Sequence, residues 1–262
     1  MHIDLSGKTV LVTGASAGIG LAIARGLAQA GARVTLSARD AGRLNAAVTA
    51  LQADGLQAQG IAADLATAAG CQALIAALPD TDILVNNLGI YGTQDFFAIS
   101  DADWENFFQT NVMSGLRLSR HYAQGMKARG WGRIQFISSE SAVNIPADMV
   151  HYGVSKSAVQ GLSRGLAKVL AGSGVTVNTI LPGPTRTEGV VGFMANLARE
   201  QGITVAEMEV RFFRENRPSS LIGRFATPEE VANLCVYAAS PQASATTGAA
   251  LRVEGGIVES IL

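Results

Sequence analysis

A tyrosine and a lysine lie four residues apart in the stretch HYGVSKSAVQGLSRGLA, residues 151–167. The stretch has the periodicity of a helix, so Tyr152 and Lys156 are expected to share one face, about one turn apart. A free phenol loses its proton at about pH 10, which is too high for a base at neutral pH. Because a neighbouring ammonium favours the phenolate, we expect Lys156 to lower the pKa of Tyr152. The pair then predicts a general acid or base for an alcohol.

Further polar side chains are candidates for the same site. Ser139 lies thirteen residues before Tyr152, where its hydroxyl is expected to hold the substrate oxygen, whereas the adjacent Ser138 is expected to be structural. Asn111 falls within a predicted long helix, where asparagine is unfavourable without a partner; an ordinary polar residue is the alternative. Glu140 is unusual beside an apolar pocket. Two interpretations stay open: it binds a polar group of the substrate, or it faces solvent.

A glycine-rich turn, TGASAGIG at 13–20, stands where a predicted strand passes into a predicted helix. Gly14, Gly18 and Gly20 have the spacing G-x-x-x-G-x-G. Glycines let the backbone turn sharply and approach a pyrophosphate, and the free N–H groups at a helix N-terminus favour an anion. No Lys-Ser or Lys-Thr follows, which argues against a phosphate-transferring loop. The turn therefore predicts a dinucleotide site, with a purely structural turn as the alternative.

The end of the second predicted strand indicates which dinucleotide is bound. The strand ends in SARD, so Arg39 stands where an acidic residue would accept hydrogen bonds from the ribose of NAD. A guanidinium instead grips a 2′-phosphate. We therefore expect NADP rather than NAD, although Ala17 offers no second basic side chain in the glycine turn.

Short apolar runs alternate with helical segments along the chain, which predicts a parallel α/β sheet covered by helices on both faces. In such a sheet the ligand lies beyond the carboxyl ends of the strands. Strands are predicted at 8–14, 33–39, 57–64, 82–87, 132–139, 175–181 and 249–256, and helices at 19–31, 40–54, near 66–78, near 101–129, around residues 151–167 and near 227–239.

No linker, repeat or low-complexity tract divides the chain, so one domain is predicted over 1–262. The segment at about 184–224 interrupts the alternation and contains Phe193, Phe212 and Phe213. Long insertions in compact domains are often lids or binding loops, so this segment is expected to contact the substrate; a packed surface excursion is the alternative. Its phenylalanines fit a core or a pocket equally well.

Composition excludes several classes of protein. Hydrophobic residues make up 48% of the chain, charged residues make up 16%, and the net charge is −1. These values fit a packed globular protein without a field for nucleic acid or a membrane surface. The cysteines, Cys71 and Cys235, are isolated, and His2, His121 and His151 are scattered, so no metal site is predicted. The chain begins without a signal peptide and has no run long enough to span a bilayer, so we expect a cytoplasmic protein.

The sum of these motifs resembles the short-chain dehydrogenase/reductase family over essentially the whole length. The pieces that carry the resemblance are TGASAGIG at 13–20, Asp64 after the third strand, NNLG at 86–89, Asn111, Ser139, YGVSK at 152–156 and PGPTRT at 182–187. Within that family the general pattern is most similar to the 3-oxoacyl-[acyl-carrier-protein] reductases. The resemblance implies a single, doubly wound, Rossmann-like domain with a seven-stranded parallel sheet.

The resemblance also implies a role for each catalytic residue. Tyr152 would be the general acid/base, and Lys156 would lower its pKa and hold the ribose of the cofactor. Ser139 would position the substrate oxygen, and Asn111 would support a water that leads to Lys156. The C-terminal stretch, from GRFATPEEV at 223–231 onward, is similar to the family's subunit-contact region and implies a homotetramer.

A larger set of residues is implied to bind the cofactor. Asp64 has an alternative role as the cap of the following helix. The implied set is Gly14, Ser16, Gly18, Ile19, Gly20, Arg39, Asp64, Leu65, Asn87, Gly89, Tyr152, Lys156, Pro182, Gly183, Thr185 and Thr187.

The expected function is an NAD(P)-dependent oxidoreductase that transfers a hydride between C4 of nicotinamide and a small-molecule secondary alcohol or ketone. A dinucleotide-binding sensor or scaffold without catalysis is the alternative. Loss of the tyrosine or the lysine would mark such a protein, and both Tyr152 and Lys156 are present.

Overall fold

Seven strands form one parallel sheet at the centre of the protein, whose computed structural model describes residues 2–261. The strands are β1 (Thr9–Thr13), β2 (Arg33–Ala38), β3 (Ala58–Ala62), β4 (Ile83–Asn86), β5 (Gly132–Ile137), β6 (Val175–Pro182) and β7 (Ala250–Val253). Their order in the sheet is β3-β2-β1-β4-β5-β6-β7. Strands β1, β4, β5 and β6 are almost wholly buried, as expected of parallel strands with helices on both faces.

Nine α-helices within residues 2–261 flank the sheet and enclose its two faces. They are α1 (Gly18–Gln29), α2 (Ala41–Ala53), α3 (Ala68–Ala77), α4 (Asp101–Phe108), α5 (Ser114–Ala128), α6 (Val150–Val169), α7 (Glu188–Gln201), α8 (Val205–Asn216) and α9 (Pro228–Ala239). Helices α1, α2 and α9 bury one apolar cluster, and α3, α5 and α6 bury a second on the opposite face. The predicted fold class, a doubly wound sheet of seven parallel strands, is confirmed.

The strand order reverses at β1, which pairs with β2 on one side and with β4 on the other. The crossovers on either side of this point run in opposite directions and leave a crevice at the carboxyl ends of β1 and β4. Polar residues that follow these strands therefore meet at one edge of the sheet.

The helix predicted near 101–129 is interrupted. Helix α4 begins with a capping box between Ser100 and Asp103, and a π-helical turn at Gln109–Met113 separates it from α5. A π turn adds one residue to the helix and commonly marks a functional site. Here it presents the side chain of Asn111 to the loop after β4, where the amide hydrogen-bonds to the backbone of Ile90.

The segment between β6 and α9 has a small apolar core of its own. Helices α7 and α8 pack together around Met194, Met208 and Phe213, to which Phe225 adds a ring. Phe193, in contrast, is exposed. The single domain over 1–262, with its insertion at about 184–224, stays a prediction.

Membrane-spanning character was searched over residues 2–261. None of the helices there combines the length and the hydropathy that a bilayer crossing demands.

Candidate active site

The glycine turn forms one wall of a cleft at the carboxyl ends of β1 and β4. Gly14 and Gly18 have left-handed backbones, with φ of 62° and 57°. A Cβ on Gly20 would lie 2.5 Å from the Gly14 carbonyl oxygen and closer still to the Asn87 amide. Asn87 Nδ2 donates to the carbonyl oxygens of Thr13 at 2.9 Å and Gly14 at 3.0 Å. The turn is therefore held in the shape that only glycine permits.

Most of the predicted residues line this cleft, which has a volume of about 400 Å³. The free N–H groups at the start of α1 suit the pyrophosphate of a dinucleotide. The predicted residues that line it are Gly18, Ile19, Gly20, Asn87, Gly89, Ser139, Tyr152, Lys156, Pro182, Gly183, Thr185 and Thr187.

Other predicted residues lie around the cleft rather than on its wall. Ser16 is half-buried within the glycine turn, and Arg39 is exposed at the end of β2. The side chain of Leu65 is buried in the second apolar cluster, so only its backbone is free to meet a ligand. Asp64 does not cap α3, because Thr67 accepts the capping hydrogen bond. The Asp64 carboxylate instead accepts from the N–H of Ala66 at 3.3 Å.

Lys156 is buried beneath the cleft, and its ammonium donates to the carbonyl oxygen of Ile137 at 2.8 Å. A Cβ on Gly89 would lie 3.1 Å from Lys156 Nζ and 3.3 Å from Asn111 Oδ1, so both side chains face the same glycine. Burial disfavours the charged form and lowers the pKa of Lys156 to about 8.

Tyr152 stands one turn before Lys156, with the ammonium 5.8 Å from the centre of its ring. Burial raises the pKa of Tyr152 above its usual value, and the Ser139 hydroxyl opposes that rise. The sequence predicted that the pKa of Tyr152 is lowered. In the protein without cofactor it is raised instead. The largest cause is desolvation by burial, which the Ser139 hydroxyl and the Arg217 charge oppose without offsetting it. Tyr152 is accordingly a neutral phenol at neutral pH.

Glu140 is buried rather than solvent-facing, which excludes one of the two interpretations of this residue. Its carboxylate accepts from the Ser139 hydroxyl at 2.5 Å and from the Ser141 N–H at 2.7 Å. The guanidinium of Arg217 donates to its other oxygen at 3.1 Å. These bonds join the predicted catalytic serine to the end of the insertion.

Asn111 uses its amide to fix the loop after β4. Its Oδ1 accepts from the N–H of Ile90 at 2.8 Å, and its Nδ2 donates to the Ile90 carbonyl at 3.0 Å and to Ser155 Oγ at 2.9 Å. These partners satisfy the side chain in mid-helix, and the role of Asn111 in the site stays a prediction. Ser138, expected to be structural, donates to the Lys156 carbonyl at 3.0 Å and also borders the cleft.

The sequence interpretation missed several residues that line the cleft. Tyr91 lies edge-on to Tyr152, with the ring centres 6.5 Å apart. Arg43 of α2 forms an ion pair with Glu188 of α7 at 3.3 Å across the mouth of the cleft. Arg43 lies four residues after Arg39, in the first turn of α2, and this second arginine so close to the end of β2 was the signal in the sequence.

Comparison with known proteins agrees with this geometry. The profile of the short chain dehydrogenase family matches residues 8–204. The uncharacterised oxidoreductase YvaG of Bacillus subtilis (strain 168) is 44% identical over 263 residues, which cover 100% of both chains. The 3-oxoacyl-[acyl-carrier-protein] reductase FabG of Vibrio cholerae is 33% identical, over 97% of this chain and 99% of that protein.

A solved structure gives the same result. L-sorbose reductase from Gluconobacter frateurii, in complex with NADPH and L-sorbose, superposes with a TM-score of 0.94. The two chains are 33% identical, and the match covers 100% of each. The chain therefore belongs to the short chain dehydrogenase family and is an NAD(P)-dependent oxidoreductase.

Proposed function

We propose that the protein is an NADPH-dependent reductase of small polar ketones and, in reverse, a dehydrogenase of the matching secondary alcohols. The observation that carries the proposal is the meeting of Tyr152, Lys156 and Ser139 in one cleft, next to the glycine turn at the start of α1. A dinucleotide-binding sensor has no need of a proton donor and a serine at the same place.

The residues of the cleft fit a dinucleotide. Left-handed glycines and the N-terminus of α1 suit the pyrophosphate. Arg39 and Arg43 supply two exposed cations near the end of β2, which favours a 2′-phosphate and thus NADP over NAD. The NADPH in the L-sorbose reductase complex supports the same choice. When bound, the nicotinamide would give a hydride to a carbonyl carbon or take one from an alcohol carbon.

The chain's own residues would handle the proton. Because burial raises its pKa, Tyr152 is protonated at neutral pH and can donate its proton to the oxygen of a ketone as that oxygen becomes an alkoxide. Ser139 would hold the same oxygen. Lys156 would bind the cofactor ribose with the part of its ammonium that Ile137 leaves free. Asn111 would keep the loop with Gly89 and Ile90 open to the cofactor.

A polar substrate is favoured because polar groups surround Tyr152. Tyr91 is exposed beside it, and Ser138 and Ser139 also line the cleft. An acyl thioester, as named for the Vibrio cholerae relative, is the second candidate. The two differ in polarity, so a substrate panel separates them.

The test is a panel of carbonyl compounds with NADPH or NADH, followed by absorbance near 340 nm. The panel contains L-sorbose, D-fructose, 2,3-butanedione and S-acetoacetyl-N-acetylcysteamine. We expect faster turnover with NADPH, with the polar ketones above the thioester. Tighter binding of NADH than of NADPH would refute the cofactor assignment. Absence of turnover with all four carbonyl compounds would argue against the reductase.

We also propose a cytoplasmic homotetramer. The support is the resemblance of the C-terminal region to the family's subunit contacts. Light scattering after gel filtration measures the assembly, and a mass of one or two chains would contradict it.

A further inference from the structure

The carboxylate of Glu140 has an unusual setting for a residue next to the substrate cleft. Only 4% of the residue is exposed, and four groups donate to its oxygens. Two are the hydroxyl and the N–H of Ser141, one is the hydroxyl of Ser139, and one is the guanidinium of Arg217. A buried carboxylate is costly unless it is paired and hydrogen-bonded, and this one is both.

Arg217 provides the positive charge from a different part of the chain. It follows α8 directly, and its side chain is 17% exposed, whereas that of Glu140 is 5% exposed. Arg217 also donates to the carbonyl oxygen of Asn216 at 2.8 Å and lies 5.9 Å from the ring centre of Phe212. The ion pair thus connects the C-terminal end of the insertion to the turn that holds Ser139.

The bonds around Ser139 determine what its hydroxyl is free to do. A serine hydroxyl has one proton and two lone pairs. The proton goes to Glu140 at 2.5 Å, and one lone pair accepts the N–H of Ser141 at 3.1 Å. One lone pair remains. In this orientation Ser139 has no proton for a substrate oxygen, so its hydroxyl must turn from Glu140 before it donates to that oxygen, while the N–H of Ser141 keeps Oγ in place. Without the Glu140 carboxylate the hydroxyl would be free to rotate.

We propose that Glu140 and Arg217 are positioning residues, which hold Ser139 Oγ in place beside Tyr152 and tie it to the C-terminal end of α8. The inference rests on the proposed function, since it assigns Ser139 to the substrate oxygen. Neither residue touches the substrate in this account. They act through Ser139 and through the charge that they present to Tyr152.

Because Glu140 and Arg217 carry opposite charges, they should have opposite effects on the pKa of Tyr152. A purely structural role would not produce this difference. Within residues 2–261, four ionisable groups face Tyr152: Tyr91 from the loop after β4, Glu140 after β5, Arg217 after α8, and Lys156 on its own helix. Burial is the main cause of the raised pKa of Tyr152; Glu140 raises that pKa further and Arg217 lowers it. Removal of the Glu140 charge must therefore lower the pKa of Tyr152, and removal of the Arg217 charge must raise it.

The experiment compares Glu140→Gln, Arg217→Met and Arg217→Lys with wild type. The probe is 2,3-butanediol with NADP⁺, and kcat/KM is measured against pH, because oxidation needs the phenolate. We expect the acid limb to move to lower pH in Glu140→Gln and to higher pH in Arg217→Met, each by on the order of one pH unit. Arg217→Lys keeps the cation and should stay near wild type. Shifts in the same direction, or no shift, would overturn the proposal.

A matched control comes from the same helix. Arg211 pairs with Glu215 at 2.9 Å on the exposed surface of α8, so Arg211→Met removes an arginine ion pair that does not contact the site. It should leave the pH profile unchanged. An equal shift in Arg211→Met and Arg217→Met would mean that the loss of any positive charge shifts the pH profile, whatever its position.

A second measurement needs no substrate. Hydrogen exchange of the protein alone should become at least several-fold faster in residues 205–216 when Arg217 is changed to Met, and not when Arg211 is. Unchanged hydrogen exchange in Arg217→Met would show that the ion pair does not hold α8 in place. The Tyr152→Phe variant tests the proposed chemistry separately, so failure of that chemistry and failure of this inference are distinguishable.

Discussion

The ammonium of Lys156 donates to the carbonyl oxygen of Ile137 at 2.8 Å and lies 5.8 Å from the centre of the Tyr152 ring. The lysine is thus anchored to the end of β5 and lies close to the tyrosine ring. This arrangement keeps a costly charge in the protein interior.

Lys156→Met should make the protein without cofactor more stable at pH 7. The pKa of Lys156 falls from 10.5 to about 8 on burial, an interval that corresponds to about 3 kcal/mol. Loss of the hydrogen bond to Ile137 offsets about 1 kcal/mol, which leaves a gain of about 2 kcal/mol in the free energy of unfolding.

The sign of this effect predicts its pH dependence. Between pH 8 and 10.5 the unfolded chain binds more protons at Lys156 than the folded chain does, so wild type gains stability as pH rises. The advantage of Lys156→Met should therefore shrink over that interval. Urea unfolding at pH 7 and at pH 10 measures it, with the exposed Lys168→Met on the same helix as control. A stability advantage of Lys156→Met that does not change with pH would contradict the lowered pKa of Lys156.

Tyr152→Phe should lower turnover by about 10²–10⁴-fold, the usual contribution of a general acid or base. The binding of NADPH should stay nearly unchanged, since the ring remains in place and only the hydroxyl is lost. Stopped-flow absorbance measures the rate, and NADPH fluorescence measures binding. Wild-type turnover in this variant would exclude the tyrosine as proton donor.

Gly20→Ala should destabilise the protein and abolish dinucleotide binding. Its Cβ would collide with the backbone carbonyl oxygen of Gly14 and with Nδ2 of Asn87, which is held by hydrogen bonds to the carbonyl oxygens of Thr13 and Gly14. We expect a loss of about 1–3 kcal/mol from overpacking. The control is Gly192→Ala in α7, where a Cβ meets nothing within 4 Å and alanine should add up to about 1 kcal/mol. Thermal unfolding with and without NADPH measures both variants. Equal effects of Gly20→Ala and Gly192→Ala would show that the lack of space around Gly20 is not the cause.

Arg39→Ala should weaken NADPH binding without weakening NADH binding. A charge-assisted hydrogen bond to a phosphate contributes about 1.5–3 kcal/mol, which corresponds to a loss of roughly 10–150-fold. Arg33→Ala, at the opposite end of β2, is the control and should change neither. Dissociation constants for both cofactors provide the measurement. A parallel loss for NADH would show that Arg39 does not read the 2′-phosphate.

The sheet was predictable because its strands are short, apolar and separated by amphipathic helices. The glycine turn and the Tyr152–Lys156 spacing were predictable because local geometry alone determines them. The break at Asn111 was not, because a π turn is stabilised by hydrogen bonds to Ile90, a residue remote in sequence.

Two features of the site depend on contacts that no local pattern encodes. Glu140 was ambiguous because its partner, Arg217, lies 77 residues further along the chain. The raised pKa of Tyr152 reflects burial, which spacing along a helix does not report.

The small core around Met194, Met208 and Phe213 keeps the segment between β6 and α9 structurally separate from the sheet. Sequence changes within this segment, which we expect to contact the substrate, can therefore accumulate while the residues around Tyr152 stay intact. In an engineered chimaera, a transplanted segment should bring its substrate selectivity to the recipient enzyme, provided that Arg217 is transplanted with it.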